Sequence, residues 1–62
     1  MKPYVLIVED EEPIVTLLRY NLEEAGFEVA AATDGEEALL LIGERKPELI
    51  LLDWMLPSVS AL

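Results

Sequence analysis

Three short segments with the character of strands, the first and third of them continuous apolar runs, alternate along the chain with two segments in which apolar residues recur at helical spacing. The strand-like segments are Tyr4–Val8, residues 27–31 and Leu49–Leu52, and each has the length of a strand. Runs rich in Val, Ile and Leu, without polar alternation, are typical of strands buried on both faces of a parallel sheet. The pattern therefore predicts an α/β fold in the order β-α-β-α-β, with right-handed crossovers.

The first helical segment begins at Glu11, Glu12 and Pro13, because proline suits the first turn and carboxylates are stabilised at the positive end of a helix. We expect Gly26 to end this helix and Phe27 to supply the apolar contact that often follows such a glycine. The apolar stripe predicted to face the sheet consists of Ile14, Leu17, Leu18, Leu22 and Ala25.

The second helical segment covers about residues 35–43, and Asp34 with Glu37 fits the capping box that opens many helices. Its predicted buried stripe contains Ala38, Leu39 and Ile42. Leu40 points away from that stripe, either as a scattered surface leucine or as a contact for a partner.

The third strand has no later element in these 62 residues to cover it. An uncovered apolar edge strand is an association surface, so the pattern predicts self-association there. The residues concerned are Leu49, Ile50, Leu51 and Leu52.

Composition narrows the possible functions. A chain of 62 residues forms one domain at most, and its 53% apolar content argues against disorder. It has no cysteine and no histidine, which excludes disulfides, thiolate or imidazole metal sites, and catalysis by a histidine base.

The charge is strongly negative. Thirteen acidic residues oppose four basic ones, and the resulting charge of −9 repels nucleic acid and anionic membranes. We therefore expect no direct nucleic-acid binding and no membrane contact. No membrane-length apolar stretch and no signal-peptide pattern is present, so the sequence predicts a cytoplasmic protein.

Acidic residues follow two of the predicted strands. Glu9 and Asp10 come directly after the first strand, and Asp53 comes directly after the third. Because the carboxyl ends of parallel strands meet at one edge, we expect these carboxylates to converge and to need a hard cation. The simpler interpretations stay open: Glu9 and Asp10 could begin the first helix, and Asp53 could be a turn residue. Glu11 and Glu12 are predicted to be solvated first-turn acids rather than ligands.

These features together resemble a known family. Val8-Glu9-Asp10-Glu11, Gly26-Phe27 and Leu51-Leu52-Asp53-Trp54-Met55-Leu56-Pro57 are similar to the receiver domain of two-component response regulators. The Asp-Trp-Met-Leu-Pro segment is most similar to phosphate-regulon regulators of the OmpR/PhoB subfamily. The resemblance implies part of a flavodoxin-like, doubly wound parallel sheet with strand order 2-1-3 and strand 3 at the open edge.

The resemblance also implies roles for individual residues. Asp53 would accept a phosphoryl group from a sensor histidine kinase or a small phosphodonor, which makes the chain a regulatory domain rather than an enzyme. Asp10 would bind Mg²⁺ directly, Glu9 would bind it through water, and Asp53 and the backbone carbonyl of Met55 would complete the site.

The family pattern is incomplete in this sequence. The resemblance implies that residues 1–62 form the N-terminal half of a receiver, without a DNA-binding domain. The family's phosphate-sensing hydroxyl residue and its lysine cannot be assigned, since Lys2 and Lys46 stand at other places. We therefore expect weak or no phosphorylation by a small phosphodonor. Ser58 and Ala61 stand near positions where the family usually has glycine.

Two other functions compete with the receiver role. The chain could be an interaction module that forms a homodimer or a swapped assembly through the third strand, without phosphotransfer. A phosphohydrolase with an aspartyl nucleophile is disfavoured, because Met55 stands where such enzymes carry a second aspartate.

Overall fold

The computed structural model describes residues 1–52. In this part the elements are β1 (Tyr4–Val8), α1 (Glu12–Glu24), β2 (Glu28–Ala32), α2 (Gly35–Glu44) and β3 (Leu49–Leu52). The three strands form one parallel sheet in the order β2-β1-β3. The predicted element order, fold class and strand order are therefore confirmed.

The central strand carries the core. All five residues of β1 are buried, and Val5, Leu6, Ile7 and Val8 are at most 2% exposed. Leu6 and Val8 pack with Ala32 of β2 and Ala38 of α2 on one face of the sheet. Two-sided burial explains why β1 is a continuous apolar run.

Backbone hydrogen bonds at the end of α1 show why Gly26 stands there. The Phe27 N–H donates to Leu22 O at 3.0 Å, and the Gly26 N–H donates to Glu23 O at 3.1 Å, which is the Schellman pattern. Gly26 has φ +95°, a conformation that disfavours side chains. Phe27 therefore belongs to the end of the helix, and β2 begins one residue later than the sequence predicts.

The buried side of α1 differs from the predicted stripe. Ile14 and Leu17 are 39% and 61% exposed, and Ala25 is exposed as well. The half-buried apolar positions are Val15, Leu18 and Leu22. The helix packs mainly against β2, so its contact surface is rotated away from Ile14 and Leu17.

Asp34 caps α2 as predicted, whereas the reciprocal bond of Glu37 reaches Thr33, one residue before the cap. The Asp34 carboxylate accepts from Glu37 N–H at 2.9 Å, and the Glu37 carboxylate accepts from Thr33 N–H at 2.7 Å. Leu39, which was predicted to be buried, is 70% exposed, and Leu41 packs against the core in its place. Leu40 is also 70% exposed, as its position predicts.

At the amino end of the sheet, Arg45, which directly follows α2, contacts one residue each of β1 and β2. Its guanidinium donates to the Glu28 carboxylate at 2.6 Å and lies 4.2 Å from the centre of the Tyr4 ring. The hydrogen bond from Arg45 lowers the pKa of Glu28. The Arg45–Glu28 pair therefore stabilises the folded state when the pH is above the ordinary pKa of a glutamate. That stabilisation is lost as the pH falls through the lowered pKa of Glu28.

Among the strands of residues 1–52, β3 stands at the edge of the sheet next to β1, as the predicted strand order requires. Leu49, Ile50 and Leu52 are 49%, 40% and 49% exposed, and only Leu51 is half-buried. Neither helix within residues 1–52 has the length and apolar character needed to cross a membrane.

Candidate functional site

Glu9 is held at the carboxyl end of β1 by two backbone interactions. Its N–H donates to Ala32 O at 2.9 Å, which continues the pairing of β1 with β2 beyond Val8. Its carboxylate accepts a hydrogen bond of 2.9 Å from the Glu11 N–H. Glu9 is only 4% exposed, so the sheet and the following turn fix the position of this carboxylate.

Three consecutive carboxylates converge at this edge. One oxygen each from Glu9, Asp10 and Glu11 lie within 4.8 Å of one another, and we call these residues the acidic cluster. Asp10 and Glu11 are exposed, whereas Glu9 is buried. Like charges at such separations repel, and a bound cation relieves that repulsion.

The acidic cluster fits the requirements of Mg²⁺. This ion prefers oxygen ligands at about 2.1 Å, which places ligands on opposite sides of its octahedron about 4.2 Å apart. Carboxylate oxygens within 4.8 Å can therefore reach one ion with small side-chain adjustments. The donors are all oxygen atoms, which suits a hard cation and not a soft one.

The acidic cluster lies directly before the first turn of α1. The N-cap residue is Glu11, and the helix proper begins at Glu12 and Pro13. Glu9 and Asp10 thus precede the helix, which disfavours the interpretation that they only form its first turn. Glu11 was assigned from the sequence to the helix start alone, yet its carboxylate joins the cluster. Four consecutive acids, residues 9–12, follow the buried strand, and this run is the signal in the sequence that includes Glu11.

The remaining predicted site residues, Asp53 and Met55, lie outside the described residues. The described strand that leads to them is β3, which pairs with β1 so that Leu52 stands level with Val8. The structure places oxygen atoms of the Glu9 and Asp10 carboxylates within 4.8 Å of each other. The roles of Glu9 and Asp10 as metal ligands, and those of Asp53 and Met55, stay predictions.

An open cleft of about 470 Å³ adjoins the acidic cluster on the side of α1 and β2. Glu9 and Asp10 line it together with Tyr20 of α1 and Thr33, which follows β2. The exposed Asp10 is therefore accessible to ions from solvent, whereas Glu9 is buried behind it.

Comparison with known proteins gives the same assignment as the fold. Residues 5–62 match the family described as the response regulator receiver domain. The matched region contains all the described strands and helices, except that Tyr4, the first residue of β1, precedes it. Glu9 and Asp10 lie inside the matched region.

Individual relatives are similar over nearly the whole chain. The chain is 53% identical over 62 residues to the phosphate regulon transcriptional regulatory protein PhoB of Rhizobium meliloti (strain 1021), of which it covers 27%. It is 53% identical over 62 residues to the alkaline phosphatase synthesis transcriptional regulatory protein PhoP of Bacillus subtilis (strain 168), of which it covers 26%. It is also 48% identical over 58 residues, 94% of the chain, to PhoB of Pseudomonas aeruginosa, of which it covers 25%.

The chain thus spans about a quarter of the length of these curated relatives. The family match, the sheet order and the position of the acidic pair agree with one another. The chain belongs to the response regulator receiver domain family, and its relatives are PhoB- and PhoP-type regulators.

Proposed function

We propose that this segment accepts a phosphoryl group on Asp53 while Glu9, Asp10, Asp53 and the backbone carbonyl of Met55 hold Mg²⁺. The observation that carries the proposal is the convergence of the Glu9 and Asp10 carboxylates at the carboxyl end of the central strand. Ligands bind at this edge in open parallel sheets.

The register of the sheet supports the role of Asp53. Glu9 follows Val8 in the sequence and Asp53 follows Leu52, and Val8 and Leu52 are partners across β1 and β3. Neighbouring strands lie about 4.8 Å apart, so two acidic segments leave the sheet from adjacent positions.

The proposed reaction uses the Asp53 carboxylate as a nucleophile. One carboxylate oxygen attacks phosphorus and forms an acyl phosphate, while the bond between phosphorus and the donor breaks. The leaving group keeps the electron pair of that bond and takes a proton from solvent. When bound, Mg²⁺ offsets the negative charge that accumulates on the phosphoryl oxygens. The buried Glu9, fixed by the Glu11 N–H, keeps one carboxylate oriented at this edge.

The partner and setting follow from the family. We propose a sensor histidine kinase as the phosphodonor, the cytoplasm as the location, and a transcriptional regulator as the protein to which this receiver segment belongs. Binding to DNA phosphates needs basic residues, and this chain has a net charge of −9. We therefore propose that other parts of such a regulator make any contact with DNA.

The Mg²⁺ site can be tested through Trp54, the single tryptophan, which follows Asp53. Asp10→Asn removes one charged ligand, so we expect the dissociation constant for Mg²⁺ to rise at least about tenfold, because ligand charge tunes the affinity of such sites. Titration of the purified chain with MgCl₂, followed by Trp54 fluorescence, measures this constant.

Glu12→Gln is the matched control for that titration. It removes a nearby charge from the first turn of α1 but none from the acidic cluster, so the affinity should stay within about twofold of the original. Equal affinity in the Asp10→Asn chain and the original chain would contradict the proposed site.

A second candidate function is self-association through β3. Leu49, Ile50 and Leu52 are exposed within the described residues, although they belong to a strand whose neighbour β1 is fully buried. We propose that a second copy covers this edge, since an open apolar edge strand otherwise promotes aggregation.

Ile50→Lys tests this contact. A charge on the edge strand should convert a dimer or larger assembly into monomers, which light scattering over a dilution series would record. Leu40→Lys, an equally apolar exposed site on α2, should leave the mass unchanged. If the Ile50→Lys chain keeps its oligomeric mass and its circular dichroism, the β3 contact is wrong.

A further inference from the structure

The Glu9 carboxylate is held by a backbone group of the turn that follows β1. Glu9 is 4% exposed, and its Oε2 accepts a hydrogen bond of 2.9 Å from the Glu11 N–H. A side chain that accepts from the N–H two residues later closes a local ring, like those that Asp and Asn form in turns. Hydrogen bonds to an ionised acceptor are about twice as strong as those between neutral groups, so this bond strongly favours one orientation of the carboxylate.

The donor of this bond is itself fixed on its other side. Glu11 is the N-cap of α1, and its carbonyl accepts the N–H groups of Ile14 and Val15, each at 3.1 Å. The Glu9 N–H in turn donates to Ala32 O of β2. The bond therefore joins the end of the central strand to the start of a helix, and both of its ends are held by backbone hydrogen bonds.

Burial makes this bond important for a cation. A buried carboxylate loses its hydration and needs hydrogen-bond donors or a positive charge within the protein. Asp10 is exposed and can reorient in solvent, whereas Glu9 reaches the acidic cluster from a fixed position. Hydrogen bonds that orient the ligands of a metal are typically worth about ten- to a hundredfold in affinity.

We infer that the backbone N–H of Glu11 is a positioning group of the cation site and acts through the Glu9 carboxylate. This role rests on the Mg²⁺ binding proposed above. It belongs to the peptide group of Glu11 and not to its side chain, so a change of the backbone and a change of the side chain at this position should have different effects.

Proline at position 11 removes the N–H while keeping the carbonyl that α1 uses. Glu11 has φ −94° and ψ 112°, within about 30° of the φ that proline fixes. Glu11→Ala is the reference, because it lacks the same carboxylate but keeps the N–H. We expect the Mg²⁺ dissociation constant of Glu11→Pro to be at least about tenfold higher than that of Glu11→Ala. Titration of each 62-residue chain with MgCl₂, followed by Trp54 fluorescence, measures both constants.

Glu12→Pro is the matched control for the proline. It makes the same change at the first residue of α1, where an N–H has no partner in the helix and proline is common. Its dissociation constant for Mg²⁺ should stay within about twofold of the original, because the bond between Glu9 and Glu11 is kept.

A double-mutant cycle shows whether the N–H acts through Glu9. In a chain that already carries Glu9→Ala, Glu11→Pro and Glu11→Ala should bind Mg²⁺ within about twofold of each other, because the acceptor of the N–H is gone. A proline that only loosened the turn would weaken binding in that background as well.

Hydrogen exchange of the Glu11 amide tests the same coupling without a proline, and it decides the question if Glu11→Pro loses its circular dichroism. Coupling is reciprocal, so a bond that raises Mg²⁺ affinity about tenfold is itself stabilised about tenfold by saturating Mg²⁺, and exchange should slow accordingly. The Arg45 N–H, which donates to Leu41 O at the end of α2, should change by less than about twofold.

Three results would overturn the role of the Glu11 N–H. The first is equal Mg²⁺ affinity of Glu11→Pro and Glu11→Ala. The second is a proline effect that persists without the Glu9 carboxylate. The third is exchange of the Glu11 amide that Mg²⁺ leaves unchanged or slows no more than that of Arg45.

Asp10→Asn separates these results from a failure of the proposed function. If Asp10→Asn weakens binding while the two position-11 variants agree, the Mg²⁺ site stands and the role of the N–H is wrong. If the original chain binds no Mg²⁺, or if Asp10→Asn binds it equally well, the proposed site is wrong and the role of the N–H is lost with it.

Discussion

Leu6→Ala is expected to unfold most of the chain at 25 °C. Leu6 is fully buried at the centre of the sheet, where it packs with Val8, Ala32 and Ala38. Truncation of a buried leucine costs about 2–5 kcal/mol, through lost transfer energy and the cavity that remains. The core of a domain this small supplies only about 3–5 kcal/mol of net stability. Urea unfolding followed by circular dichroism would measure the loss.

Leu17→Ala is the control for this prediction. The same side-chain change at a position 61% exposed removes little buried area, and alanine is a good helix former, so the free energy of unfolding should change by less than about 0.5 kcal/mol. Equal urea midpoints for the two variants would show that β1 is not the packed centre of the protein.

Local signals account for the elements that the sequence predicted well. The bounds of β1 and β3 match their apolar runs, because a strand buried on both faces needs no polar alternation. Gly26 and Asp34 mark the end of α1 and the start of α2, since each satisfies backbone groups that the helix itself leaves unpaired.

The predicted and observed sets of buried residues differ where packing between elements determines which side of a helix is buried. Helical spacing gives a set of apolar residues but does not fix which side of the set meets the sheet. Because α1 packs mainly on β2, Val15 is half-buried while Ile14 and Leu17 are exposed. On α2, Leu41 packs against the core and Leu39 does not. These choices depend on neighbours that are distant in sequence.

The candidate site was predictable in part for a similar reason. The rule that ligands meet the carboxyl ends of parallel strands predicts that Glu9 and Asp10 lie at one edge of the sheet, and their carboxylates do converge after β1. The role of Glu11 in the cluster depends on the path of the turn before α1, where its N–H donates to Glu9 and its carboxylate returns towards the same point. Sequence spacing alone does not determine that path.

Asp53→Ala is expected to remove two activities at once. The 62-residue chain is expected to take up phosphoryl groups weakly at most, and Asp53→Ala should abolish whatever uptake it shows, because the proposed acyl phosphate forms on that carboxylate and on no other. The dissociation constant for Mg²⁺ should also rise by about tenfold or more, since one charged oxygen ligand is removed. Intact-mass spectrometry after incubation with a small phosphodonor and MgCl₂ tests the first effect, and Trp54 fluorescence tests the second.

The two readouts separate the two parts of the proposal. Loss of phosphoryl uptake with unchanged Mg²⁺ affinity would keep Asp53 as the acceptor and remove it from the ion's ligands. Unchanged uptake would assign the acceptor to another carboxylate, and the exposed Asp10 is the first to examine. Glu36→Gln, which removes one charge from α2, should change neither measurement, because that residue is exposed and lies outside the acidic cluster. An equal loss in this control would mean that total charge, rather than a defined site, governs cation binding.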